Sequence, residues 1–137
     1  MLGHRGDMPS VYASLDVMVS SSRQEGLPIA ILEGMASRLP LVATAVGEVP
    51  TVVLDGHTGV LVPAEDLDSL TAGITKLLRD SGLRTRLGAA ARQRVEEEYS
   101  AARMTTDYLH VYEEAIEAVK GREHRIESSA ASQGNAK

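Results

Sequence analysis

The sequence predicts an α/β fold built on a small parallel sheet, and three observations carry that prediction. Asp16–Ser20, Pro40–Ala45 and Gly59–Pro63 are short, β-branched or aliphatic runs with polar or turn-forming flanks, the pattern of buried strands. Helical stretches separate and follow them. The strands are also apolar without alternation, as strands covered on both faces are.

Taken in order, Met8–Leu15 has Pro9 near its start and predicts a short helix before the first strand. A polar loop, Ser21-Ser-Arg-Gln-Glu-Gly26, leads to a helix over Leu27–Arg38, where Pro28 suits the first turn because its missing N–H costs nothing there. After the second strand, Gly47 permits a tight turn into a short helix over Val49–Leu54. Asp55-Gly-His-Thr-Gly59 reads as a turn in which both glycines supply positive φ.

Beyond the third strand, Asp66 is placed to cap a helix running to about Arg79, with Leu67, Leu70, Ile74, Leu77 and Leu78 on its apolar side and Gly82 as its stop. A helix over Leu83–Glu98 follows, and Ser100 caps a long one from Ala101 to about Lys120. From Gly121 the composition turns to Glu, Arg, Ser, Ala and Gln, so residues 121–137 are expected to form a disordered tail. Three strands are few for an independent doubly wound domain, whose sheets hold about five. Further elements before Met1 are therefore expected, and their absence should leave a sheet edge or an apolar helix face open.

Composition narrows the function. The chain has 137 residues, 43% of them hydrophobic, and its only aromatics are four tyrosines. Zero Cys excludes disulfides and thiolate metal sites. A net charge of −5 argues against nucleic acid as a partner, although a ring of backbone N–H groups can still bind a small anion. No apolar run reaches the roughly eighteen residues of a membrane span, and the N-terminus lacks the order of a signal peptide.

In open α/β sheets, ligands bind beyond the carboxyl ends of the strands. Here those loops are Ser20–Leu27 and Ala45–Val49. The first enters a helix N-terminus, an anion site that Gly26 lets a ligand approach closely, and Gly47 can serve likewise in the second. Glu25 and Glu33 flank that site; carboxylates would repel a phosphate but suit vicinal hydroxyls, each charge-assisted bond being worth about 1.5–3 kcal/mol. A ligand with sugar, diphosphate and ribose, hydroxyls at both ends and an anion between, is one that satisfies this arrangement, though not uniquely. From spacing alone the plainer reading is favoured, Glu25 as a partner of the helix dipole and Glu33 on a solvated helix face.

The stretch Ser22-Arg-Gln-Glu25-Gly26-Leu27-Pro28-Ile-Ala-Ile-Leu32-Glu33-Gly34-Met-Ala36 closely resembles the signature of the group-1 glycosyltransferases, retaining enzymes of the GT-B fold marked by two Glu separated by seven residues. Leu39–Thr44, Val46-Gly-Glu-Val-Pro50, Asp55–Pro63, Arg92 with Arg94-Val95, and Tyr99-Ser100 continue it in order, over about residues 2–115. The resemblance implies the Rossmann-like C-terminal donor-binding domain of a GT-B enzyme, truncated at its start, over residues 1–120. It implies that Glu25 meets the donor sugar's hydroxyls beside the reacting centre and is the catalytic candidate. Gly26 and Leu27 would offer N–H groups to the sugar and diphosphate, Glu33 would hold the ribose, and Ser22 and Gly47 would line the cleft. Gly34 stands where the family often has Ala, at about 1 kcal/mol in helix propensity, and Thr51 replaces a usual Glu and is left out of the site.

The same resemblance implies a nucleotide-sugar donor as substrate, no cofactor and no required metal. The Arg and Lys that the family brings to the diphosphate lie on the opening strands and loops of this same domain, which are expected to precede the chain, while the acceptor is expected on a separate N-terminal domain or a partner chain. The isolated chain is then expected to be inactive, and to self-associate, swap elements or be marginally stable. A cytoplasmic location is expected, or one peripheral to the membrane in a full-length enzyme. A catalytically silent sugar-nucleotide-binding module, a nucleotide-sugar epimerase and a reading frame without function of its own are the alternatives.

Other motifs are weaker. Asp66-Leu-Asp68 matches an Asp-x-Asp metal motif but falls where a helix needs its cap. His4, His57, His110 and His124 lack metal-ligand spacing. Tyr108 and Tyr112 read as core or interface, Lys76 and Lys120 as solvated surface. Arg84, Arg86, Arg92 and Arg94, followed by Glu96–Glu98, read as an ordinary exposed helix.

Overall fold

The computed structural model describes the backbone of residues 5–134 and the side chains of residues 5–120, and it divides into two compact units, Met1–Tyr99 and Ser100–Lys137. The first unit runs α1 (Met8–Ala13), β1 (Met18–Ser20), α2 (Ile29–Ala36), β2 (Leu41–Thr44), α3 (Val49–Val52), β3 (Val60–Val62), α4 (Leu67–Arg79) and α5 (Ser81–Glu98). The strands form one sheet in the order β1-β2-β3, both pairings parallel, with Met18 opposite Leu41 and Val42 opposite Val60. The predicted α/β class and the three strand positions are thus found, each strand shorter by one or two residues at its ends.

The side chains of β2 leave the sheet alternately, so one buried strand feeds two cores. Leu41 and Ala43 join Ile31 and Met35 of α2, Val49 and Val52 of α3, Val53, and Ala91 of α5. Val42 and Val62 join Leu77 of α4 and Leu87 of α5, with Val60, Leu70, Ile74 and Leu83 packed around them. Met35, Val42, Leu77 and Leu87 are fully buried; each such side chain contributes about 1.5–3 kcal/mol relative to an exposed one. Among the described residues β1 is paired on one side only, and Val19 and Leu15 beside that edge are exposed. The open edge is only three residues long.

Helix α2 ends in a Schellman turn: the Arg38 N–H donates to the Met35 carbonyl and the Leu39 N–H to the Gly34 carbonyl. Arg38 takes the left-handed position at φ 60°, where a side chain costs about 1–2 kcal/mol. Its carbonyl lies against α5 at Gly88, where a Cβ would stand 2.2 Å from the oxygen. Gly34 is buried for a similar reason, because a Cβ there would meet Met18 Sδ at 2.3 Å. Met18 fills the volume that alanine would take.

Several expectations are corrected. Gly82 does not stop α4; Asp80, extended at φ −122°, separates α4 from α5 and caps the latter by accepting from the Leu83 N–H at 2.8 Å. Gly82 lies inside the first turn of α5. On α4, Leu67 and Leu78 point to solvent, and Gly73 lies against Val42, its Cβ position 3.0 Å from Val42 Cγ1. In the 55–59 turn only Gly56 has positive φ; Gly59 is needed for closeness, its Cβ position lying 2.8 Å from Val53 Cγ1. The arginines of α5 are not a plain solvated face. Arg84 donates to the carbonyls of Leu77 and Leu78, Arg92 to that of Ala36, and Arg94 to those of Thr51 and Val52.

The second unit is one helix, α6 (Ala101–Gly134), begun by Ser100, whose Oγ accepts from the Arg103 N–H at 3.3 Å. Tyr108 and Tyr112 are exposed on it and form no core. The α6 backbone passes Gly121, where the composition change led us to expect a tail; Glu, Arg, Ala and Gln are good helix formers and no proline intervenes. Side chains from 121 onward, and residues 135–137, lie outside the described residues. No helix among the described residues is long and apolar enough to cross a membrane.

Candidate functional site

The carboxyl ends of the three strands lie at one edge of the sheet, because the strands are parallel and in register. The loop after β1 holds Ser22, Glu25, Gly26 and Leu27, and Thr44 at the end of β2 anchors it. The Thr44 hydroxyl, buried at the sheet edge, donates to the Ser22 carbonyl at 2.6 Å. The Ser22 hydroxyl in turn donates to Glu25 Oε2 at 3.1 Å, which orients the half-buried Glu25.

The loop after β2 closes onto the first one. Gly47 has φ 52° and lies so close to Glu25 that a Cβ would stand 1.8 Å from the Glu25 carbonyl oxygen. Both requirements, positive φ and close approach, exclude any other residue. The two loops expected to form the site therefore meet, and they meet at Glu25.

Gly26 differs from Gly47. Its φ is not positive and its Cβ position is open, so nothing among the described residues demands glycine there. Leu27 beside it is 58% exposed. Among the described residues, no group accepts from the N–H of Gly26 or of Leu27. Helix α2 then begins at Ile29 with Pro28 as its N-cap, one or two residues later than expected, since Pro28 at ψ 76° has not yet entered the helix.

Glu33 lies in the second turn of α2, with its carboxylate turned toward α1. There the Tyr12 hydroxyl donates to Glu33 Oε2 at 2.8 Å. Tyr12 is 7% exposed. Burial, then the hydrogen bond to Glu33 and its negative charge, push the phenol from 10.0 up to about 12. A raised folded-state value means that the neutral phenol is the form the fold favours. This stabilisation is complete below about pH 10 and is lost as the pH rises toward 12; at about 1.36 kcal/mol per unit it amounts to about 2–3 kcal/mol. Ultraviolet difference titration of wild type against Tyr12→Phe should show a missing phenolate with a midpoint near 12, and the variant should lose less stability over that interval. A missing midpoint at or below 10 would contradict the buried contact.

A shallow pocket of about 230 Å³ opens at the same strand ends, lined by Ser21, Arg23, Thr44, Pro63, Glu65 and Leu67 among others. Arg23 and Glu65 pair across it at 3.2 Å, both largely exposed, which limits the pair to about 1 kcal/mol at most. Asp66 is the cap of α4: it accepts from the Ser69 hydroxyl at 2.6 Å and the Ser69 N–H at 2.9 Å, and these bonds hold its carboxyl below the usual range. His57 sits in the 55–59 turn, its N–H bonded to the Leu54 carbonyl.

Ser22, Glu25, Gly26, Leu27 and Gly47 are thus brought together, while Glu33 is held from behind by α1. Sequence reasoning missed Thr44 and Tyr12. Thr44 read simply as part of an apolar strand. Tyr12 carried no local signal, because its partner is 21 residues away on another element.

The structure is a parallel α/β unit whose two strand-end loops meet at Glu25, and the comparisons show its family. The family model described as glycosyl transferases group 1 matches residues 1–80. The D-inositol 3-phosphate glycosyltransferase of Salinispora tropica is 36% identical over 123 residues, covering 90% of this chain and 24% of that protein. Among solved structures, sucrose-phosphate synthase of Thermosynechococcus elongatus superposes with a TM-score of 0.74 at 29% identity, covering 79% of this chain and 27% of that one. HepE of Anabaena in complex with UDP gives a TM-score of 0.79 at 21% identity, covering 82% of this chain and 31% of that one.

The chain belongs to the group 1 glycosyltransferase family, and its fold is the Rossmann-like parallel part of a GT-B domain. It spans less than a third of the length of the curated relatives it matches.

Proposed function

We propose that this chain is the donor-binding part of a glycosyltransferase that moves a sugar from a nucleoside diphosphate to an acceptor with retention of configuration. The meeting of the two strand-end loops at Glu25 and Gly47 is the observation that most supports this reading, because both loops carry residues that the family resemblance marks. In it, Glu25 accepts from hydroxyls of the donor sugar beside the reacting carbon, and the Ser22 hydroxyl holds its carboxylate. The N–H groups of Gly26 and Leu27 face the sugar and diphosphate, where preorganised donors stabilise the charge that develops on the leaving group. The open space beside Gly26 supports close approach of a ligand. Glu33 accepts from the ribose hydroxyls. The UDP held by HepE is a ligand of the class this arrangement fits.

Titration of UDP, GDP, ADP and their sugar conjugates should find binding by the wild-type chain that Glu33→Ala weakens about 10- to 100-fold, the worth of the lost charge-assisted bonds. Equal affinity for wild type and variant would sink the ribose role. The acceptor is held by an additional domain or a partner chain, so the 137 residues alone should bind donor with little or no turnover. Normal transfer by the isolated polypeptide would overturn that division of labour.

A further inference from the structure

Glu33 is exposed, and among the described residues its carboxylate has one partner, the Tyr12 hydroxyl, and no ion pair. A free glutamate side chain samples many rotamers, and ordering it on binding costs conformational entropy. Tyr12 removes that freedom in advance: it is buried, it sits on a different helix, and its hydroxyl reaches Glu33 Oε2 at 2.8 Å. One bond to Oε2 leaves Oε1, and a second lone pair on Oε2, for an incoming diol.

We infer that Tyr12 is a positioning residue for nucleotide recognition, fixing the Glu33 carboxylate in the orientation in which it receives the two ribose hydroxyls. The inference rests on the ribose role of Glu33 proposed above and adds a residue that the family signature does not contain. Tyr12 itself touches no substrate; it acts through Glu33. Its ring is also buried, so loss of affinity alone would not separate positioning from packing. Discrimination between ribose and its deoxygenated analogue does separate them.

The test compares UDP, GDP and ADP with their 2′,3′-dideoxy counterparts on the full chain, using wild type, Tyr12→Phe and Glu33→Gln. Wild type should prefer the ribose form of the nucleotide it binds by tenfold or more. Tyr12→Phe should cut that preference several-fold while leaving affinity for the dideoxy form unchanged. In a Glu33→Gln background the same change should do nothing further. Tyr12→Met, which fills the buried volume without a hydroxyl, should reproduce the collapse and serves as a second arm should the phenylalanine variant fold poorly. If wild type discriminates and folded Tyr12 variants discriminate equally, the positioning role is wrong while the ribose role of Glu33 stands. If wild type itself does not discriminate, the ribose role fails and the positioning role falls with it.

Discussion

Replacing Gly47 by alanine should force the two site loops apart. The new methyl would stand 1.8 Å from the Glu25 carbonyl oxygen, which is backbone and has no rotamer to change, and φ 52° adds strain of its own. Left-handed strain of about 1–2 kcal/mol and overpacking of about 1–3 kcal/mol combine to a loss of about 2–5 kcal/mol. For a unit of this size that lowers the melting midpoint by about 10 °C or more. Donor binding should fall about tenfold or more in protein that remains folded, since Glu25 moves with its backbone. Calorimetry for the melt and titration for binding check both halves. A variant that melts and binds like wild type would show that the loops do not touch.

A pair of substitutions in α5 should have opposite signs. Gly88→Ala gains about 1 kcal/mol of helix propensity but drives its methyl to 2.2 Å from the Arg38 carbonyl oxygen, itself fixed in the Schellman turn. Separating α5 from α2 costs about 1–3 kcal/mol and should outweigh that gain, for a net loss of up to about 2 kcal/mol. Gly82→Ala, in the first turn of the same helix, meets only Asp80 Oδ1 at 3.4 Å, an ordinary contact, and φ there is not positive. It should stabilise by about 0.5 kcal/mol. Denaturant unfolding distinguishes them, and the same sign for both would mean that α5 does not rest on the α2 terminus as described.

The fold was legible where the signal is local. The three strands announced themselves as short β-branched runs, and Asp66 and Ser100 as caps, because each depends on neighbours within four residues. What was not legible depends on partners far along the chain. Gly59 and Gly88 look like a turn residue and a helix defect until Val53 and the Arg38 carbonyl are seen beside them. Arg92 and Arg94 look solvated until the carbonyls of Ala36, Thr51 and Val52 arrive from 42 to 56 residues away. Gly82 misled because glycine is a common helix stop, whereas a single extended aspartate did the work.

The site divided along the same line. Glu25, Gly26 and Glu33 were found through a contiguous signature, and Gly47 through its place at a strand end. The signature contains nothing about what holds those residues. Among the described residues the hydroxyls of Thr44 and Tyr12 each make one hydrogen bond, across 22 and 21 residues respectively, and no periodicity or spacing points to such a bond.

Helix α5 belongs to both cores: Leu83 and Leu87 serve the α4 side of the sheet, while Ala91 and Val95 serve the α2 side. It therefore acts as a rivet through the unit. Any opening that lifts it uncovers both faces of a three-stranded sheet at once, so the cheapest such fluctuation already resembles complete unfolding. Amide protons on β2 and on the middle of α5 should then exchange only through that global event and share one free energy, which leaves the strand-end loops, outside the rivet, as the part of this unit free to adjust to a ligand.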